Sequence, residues 1–168
     1  MRNSIFALFL SIIALNFACS QNPPKSPLIT VDGKDVKVVF GQPSKRGRVI
    51  FGAEGSQSLE KYGKVWRTGA NEATVITFKK DGQFGGKAVK AGDYGLFSIP
   101  GEKEWVVILN SEPKQWGAYN YKQDKDVLRI TVPTIALKEP VEKLNFEVKD
   151  NALIFMWDTS SFSVPLKF

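Results

Sequence analysis

The densest run of chemically capable side chains is Tyr62-Gly63-Lys64-Val65-Trp66-Arg67-Thr68-Gly69-Ala70-Asn71-Glu72-Ala73-Thr74. It sets an aromatic ring, a guanidinium, an amide and a carboxylate within seven residues around a glycine. On a strand-connecting loop such residues can converge on one small polar ligand, with Trp66 as a stacking floor and Arg67 as a planar two-point donor to a carboxylate or phosphate. They also suit a structural turn, because Asn71 tolerates unusual backbone angles and an Arg67 to Glu72 contact would pin the loop.

Arginine is the informative choice here. After residue 18 the chain carries 18 lysines and four arginines, Arg46, Arg48, Arg67 and Arg129. Where lysine covers the surface, arginine beside glycine, as in Arg46-Gly47-Arg48 and Trp66-Arg67-Thr68-Gly69, asks for a fork of donors rather than for charge alone. Its partner is either a ligand anion or an internal carboxylate such as Glu54 or Glu72. A second aromatic cluster, Trp116-Gly117-Ala118-Tyr119-Asn120-Tyr121, can stack on a sugar ring or cap one end of the fold. The candidate ligand residues are therefore Arg48, Trp66, Arg67, Asn71, Glu72, Trp116 and Tyr119.

Much chemistry is excluded by composition. The chain has no histidine and one cysteine, which removes Ser-His-Asp and Cys-His nucleophiles and the usual zinc ligands. Asp32-Gly33-Lys34-Asp35 and Asp124-Lys125-Asp126 lack the carboxylate density of a calcium loop, and Gly52-Ala53-Glu54-Gly55-Ser56 lacks the lysine of a phosphate loop. No metal and no cofactor are expected. Catalysis would rest on carboxylates, with Glu54, Glu72, Glu102 and Glu104 as the candidates for glycoside chemistry.

The single cysteine has its own explanation. Arg2 precedes an apolar run from Ile5 to Phe17, too short to span a bilayer, which needs roughly 20 residues, and Ala18 then precedes Cys19. Residues 1–18 thus read as a signal peptide, and Leu15-Asn16-Phe17-Ala18-Cys19 as a lipobox whose Cys19 accepts lipid. Residues 19–27, with three prolines, read as a tether, and 28–168 as one folded domain. The expected location is the cell envelope, on the periplasmic side or at the outer membrane, with the membrane as partner through the lipid.

The net charge of +6 comes from lysines scattered among acids, with no basic run, so no nucleic-acid partner is expected. A glycan or acidic small ligand remains the expected soluble partner.

Positioning these side chains falls to strands. Period-two or short continuous apolar runs recur at Val36–Phe40, Arg48–Phe51, Thr74–Phe78, Tyr94–Ile99, Trp105–Leu109, Val127–Val132, Leu144–Val148, Leu153–Trp157 and Phe162–Phe168. Lys80-Asp81-Gly82, Pro100-Gly101 and Lys149-Asp150-Asn151 supply turns between them. The pattern predicts an all-β, antiparallel β-sandwich, jelly-roll-like, or a flattened barrel, of about nine strands.

Several of these blocks occur together and in order: Pro43-Ser44-Lys45-Arg46-Gly47-Arg48-Val49-Ile50-Phe51-Gly52, Trp66 to Thr74, Ala91-Gly92-Asp93-Tyr94-Gly95-Leu96-Phe97-Ser98-Ile99-Pro100, Trp105 to Asn110, Trp116 to Tyr119 and Asp126 to Arg129. In these the chain resembles the bacterial domain of unknown function 2911 (DUF2911) family, from about Pro27 to Phe168. The resemblance implies an envelope-associated β-sandwich and no particular activity. Gln42 departs from the arginine that the family pattern leads one to expect. The functional expectation is a non-catalytic ligand-binding or structural module of an envelope lipoprotein. Its competitor is a carboxylate-dependent hydrolase or lyase acting on envelope carbohydrate.

Overall fold

The computed structural model describes residues 26–168, so the leader, Cys19 and the tether up to Lys25 lie outside the described residues. Twelve strands run through the described part: β1 (Leu28–Asp32), β2 (Val36–Gly41), β3 (Phe51–Gly52), β4 (Glu60–Lys61), β5 (Thr74–Phe78), β6 (Gly82–Phe84), β7 (Lys87–Val89), β8 (Gly92–Ile99), β9 (Glu104–Asn110), β10 (Asp126–Pro133), β11 (Ile135–Lys149) and β12 (Ala152–Lys167). Six form an antiparallel sheet in the order β1-β2-β5-β8-β9-β10, four form a second in the order β11-β12-β6-β7, and β3 and β4 make a short parallel pair. The fold is all-β and sandwich-like, and the sheets do not close into a barrel.

Alternation decides which face each strand buries. Val36, Val38 and Phe40 of β2 and Ile76 and Phe78 of β5 meet Phe146, Leu153, Phe155, Trp157, Phe162 and Val164 of the second sheet in one core. Each such side chain removed from water contributes about 1.5–3 kcal/mol, which makes the register of β2 on β5 hard to slip. Strands β8 and β9 are buried on both faces. Leu96, Trp105, Val107 and Leu109 face the main core, while Phe97 and Ile108 join Ala73 in a smaller cluster with Val65, Ala118 and Tyr121. The segment after β9 therefore folds over the outer face of the large sheet, and this brings the second aromatic run beside the first.

The Tyr94–Leu109 hairpin forms as read, with Ile99 opposite Val106 across Pro100-Gly101. Asp150 and Asn151 both take positive φ, 51° and 55°, giving the two-residue turn that matches strand twist between β11 and β12. Two expectations change: of the expected Arg48–Phe51 strand only Phe51 lies in a strand, β3, and Leu153–Trp157 and Phe162–Phe168 are halves of a single strand, β12. Buried positions are odd-numbered before Asp158 (Leu153, Phe155, Trp157) and even-numbered after it (Phe162, Val164, Leu166). The pairing of β11 with β12 shifts register on either side of the Val141–Asp158 pair, and Asp158 has φ of 53°, so a bulge supplies the phase change.

Candidate functional site

The loop between Trp66 and β5 is built before any ligand arrives. Trp66 and Ser98 exchange two backbone hydrogen bonds, 2.7 and 2.9 Å, fixing the start of the loop on β8. Thr68 is fully buried at φ 53°, a conformation costly for a β-branched residue. Neighbours hold it there: its hydroxyl donates to Ser98 Oγ at 2.9 Å, and its carbonyl accepts the Thr74 hydroxyl at 2.9 Å. Ala70 N–H donates to the Gly41 carbonyl of β2 at 3.1 Å. The approach is so close that a Cβ on Gly41 would lie 2.0 Å from the Ala70 oxygen. Asn71, left-handed at φ 64°, donates from Nδ2 to the Ser26 carbonyl.

A second segment docks on this loop. Ala73 N–H donates to the Gln115 carbonyl at 2.8 Å, Gly117 N–H to the Asn71 carbonyl at 3.0 Å, and Glu72 bridges Trp116. Gly117 has φ of 67°, and a Cβ there would meet the Tyr119 ring at 2.8 Å and Arg67 Nη1 at 3.5 Å. Absence of a side chain at 117 thus lets a guanidinium and an aromatic ring share one small space. Tyr119 is 82% exposed and Trp116 53%.

Of the seven ligand candidates, Arg67, Asn71, Glu72, Trp116 and Tyr119 are brought together. Trp66 is not part of that surface. It is 3% exposed and stacked on Trp157 at 5.8 Å, with Phe51 and Trp105 edge-on, so its expected role as a stacking floor gives way to a core position. Arg48 turns back on its own loop, donating to the Lys45 and Ser44 carbonyls, and lines a concavity whose walls include neither Arg67 nor Tyr119. The Arg67 to Glu72 contact is absent among the described residues. Glu72 is exposed, and Glu54 pairs with Lys64 instead. Arg129 is engaged internally by Asp126 at 3.2 Å.

Sequence reading missed Glu60. It lies opposite Phe51 in the parallel β3–β4 pair, so the two side chains share a face and the carboxyl points toward the end of the core. Burial pushes its pKa up to about 7, against the pull of Arg67 and then Lys61. Arg67 Nε is itself buried without a hydrogen-bond partner, as is Gln115 Oε1. Glu60 is thus a half-buried acid that titrates near neutrality within the field of an incompletely satisfied arginine. The charged groups that act on Glu60 among the described residues, Arg67 and Lys61, are both cations.

The family described as "Protein of unknown function (DUF2911)" matches residues 22–166, a span that holds all of these side chains. No curated protein and no solved structure matches the chain.

Proposed function

The chain belongs to the DUF2911 family, and from that premise we propose that it is a cell-envelope lipoprotein, anchored through Cys19, whose sandwich binds an acidic glycan without transforming it. The observation that carries this reading is Tyr119, an almost fully exposed ring held against Gly117 beside the Arg67 guanidinium. An aromatic face suits the apolar face of a sugar ring, and an arginine fork suits the carboxylate of an acidic one. Pre-organisation adds support, since the loops bearing Arg67 and Tyr119 are tied to each other and to β2 by backbone hydrogen bonds, leaving little ordering to be done on binding.

Titration of the full chain with acidic and neutral oligosaccharides, followed by its tryptophan fluorescence, tests the site. Tyr119→Ala and Arg67→Gln should each weaken the acidic ligand about tenfold or more; affinity indifferent to both substitutions would remove the site from consideration. Incorporation of labelled fatty acid into wild type but not Cys19→Ser tests the anchor.

A carboxylate-dependent hydrolase or lyase is the reading that Glu60 favours, because an acid with a pKa near 7 can donate a proton at neutral pH. That reading requires turnover of an acidic oligosaccharide, abolished by Glu60→Gln. Binding without turnover leaves the module reading standing.

A further inference from the structure

Where the chain enters the fold, Ser26, Pro27, Gln42, Pro43, Ser44, Arg46 and Arg48 enclose a concavity of about 300 Å³. We infer that this concavity is an anion site for a phosphate-bearing group, and that the phosphate is that of an anionic lipid headgroup in the membrane holding the anchor.

The chemistry begins with the loop. Residues 43–45 add to the edge of β11: Leu144 N–H donates to the Pro43 carbonyl at 3.0 Å and Lys45 N–H to the Glu142 carbonyl at 2.7 Å. On this fixed base the Arg48 guanidinium donates through Nε to the Lys45 carbonyl at 3.0 Å and through Nη2 to the Ser44 carbonyl at 2.7 Å. Two carbonyls thereby set the plane of the fork, and its remaining N–H groups are oriented without further loss of side-chain freedom. Arg46 sits at φ 50°, left-handed for a non-glycine residue, and is pinned there by its N–H donating to Glu142 Oε1. Its guanidinium is exposed and makes no ion pair among the described residues.

No carboxylate lines the concavity. Glu142 accepts the Arg46 N–H, and Asp158 pairs with Lys45. Two arginines lining a small polar hollow, neither in an ion pair among the described residues, suit an anion with several acceptor oxygens, which a phosphate mono- or diester supplies in bidentate geometry.

Placement selects the source. Ser26, a wall of the concavity, lies seven positions after Cys19. An extended chain covers roughly 3.3 Å per residue, so the hollow reaches no more than about 23 Å from an anchored cysteine. The headgroup layer, which extends roughly 5–8 Å beyond the hydrocarbon core, falls within that reach. The source of the phosphate rests on the anchored reading; the anion site does not, and it shares no side chain with the Arg67–Tyr119 surface.

The test uses the full chain, in detergent for soluble probes and reconstituted for membranes, with thermal midpoint as the readout. Inorganic phosphate and glycerol 3-phosphate should raise the midpoint above sodium chloride at equal ionic strength. Vesicles of phosphatidylglycerol with phosphatidylcholine should raise it above phosphatidylcholine alone. Arg46→Gln, at an exposed side chain that braces nothing, and Arg48→Lys, which keeps charge but loses the fork, should each weaken the response about tenfold in apparent affinity. Tyr119→Ala should leave it unchanged, which separates this site from the glycan surface. Stabilisation by inorganic phosphate but not by phosphatidylglycerol vesicles upholds the anion site and overturns the lipid source. No stabilisation by any probe, or stabilisation that survives both arginine variants, overturns the proposal.

Discussion

Glu60 lies within the field of Arg67 and closes no ion pair with it among the described residues. The backbone that carries this carboxyl is held in place: Glu60 N–H donates to the Ile50 carbonyl at 2.8 Å, and its own carbonyl accepts the Ser58 hydroxyl at 3.0 Å. Arg67 is held separately, by the loop tied to β8 and β2. Burial leaves the acid undercharged despite that field, and Arg67 Nε is buried without a hydrogen-bond partner.

A pH dependence follows from that arrangement. Burial raises the Glu60 pKa from 4.5 to about 7 in the folded chain. Between these values the folded state binds the extra proton, so this group's contribution to stability is full below about 4.5 and is lost as pH rises to about 7. Glu60→Gln should flatten the stability curve over that window and make the protein more stable than wild type above it, by about 2–3 kcal/mol. Urea unfolding of both chains at pH 5 and pH 8 measures the difference; a constant gap between them would show that Glu60 is charged throughout.

The aromatic side chains divide by exposure, not by sequence neighbourhood. Trp66 packs against Trp157, Phe51, Trp105 and Phe155, so Trp66→Ala should cost about 3–5 kcal/mol. Tyr119→Ala should stay within about 0.5 kcal/mol of wild type, while losing affinity for the acidic glycan. Equal destabilisation by the two would mean that Tyr119 is a packing residue.

How far the sequence announced these features depends on the range of the interaction involved. Strand β5 was readable to the residue because Thr74 to Phe78 alternates and borders turn formers, and the β8–β9 hairpin because Pro100-Gly101 sits between two apolar runs. Strand β12 read as two because alternation is a phase-sensitive signal and the Asp158 bulge reverses the phase. Strands β4, β6 and β7, at two or three residues, are too short to carry a period. The clustering of Arg67, Asn71 and Glu72 with Trp116 and Tyr119 joined two separately noticed motifs. Glu60, between Leu59 and Lys61, carries no local signal, since its burial comes from pairing with Phe51 across a loop. Trp66 misled for the complementary reason: its neighbours suggest a polar loop, and only Trp157, ninety-one positions away, makes it core.

Gly41 tests whether the site loop needs its close seat on β2. A Cβ at 41 would meet the Ala70 backbone oxygen at 2.0 Å, with backbone on both sides and no flexible end to yield. Gly41→Ala should therefore cost about 2–4 kcal/mol and weaken ligand binding by moving Arg67. Gly55→Ala is the control: nothing lies within 4 Å of its Cβ, so only its positive φ is penalised, at about 1 kcal/mol. Thermal unfolding of the two variants decides it, and a Gly41→Ala midpoint equal to that of Gly55→Ala would show that the loop can lift without loss.

The platform beneath Tyr119 depends on one carboxylate. Asp126 accepts the Asn110 amide at 2.9 Å, the Tyr121 hydroxyl at 2.6 Å and Arg129 Nη1 at 3.2 Å, and its side chain is 6% exposed. Burial, then the hydrogen bond to Asp126 and its charge, push the Tyr121 hydroxyl well above its ordinary pKa, so Tyr121 stays a donor at any working pH. Tyr121 in turn packs on Phe97 at 5.1 Å, which seats the aromatic segment on the outer face of the large sheet. Asp126→Ala would remove the acceptor of the Tyr121 phenol, the partner of the Arg129 guanidinium and one of the two acceptors of the Asn110 amide, whose Nδ2 keeps the Lys122 carbonyl, at a cost of about 2–4 kcal/mol. Asp126→Asn keeps the shape and one acceptor oxygen, so it should cost less. If the loss spreads through the segment, hydrogen exchange at Gly117 and Ala73, whose N–H groups bond to Asn71 and Gln115, should accelerate in Asp126→Ala well before β2 and β5 are affected. Exchange that rises equally everywhere would make Asp126 a determinant of global stability alone, with no special hold on the site.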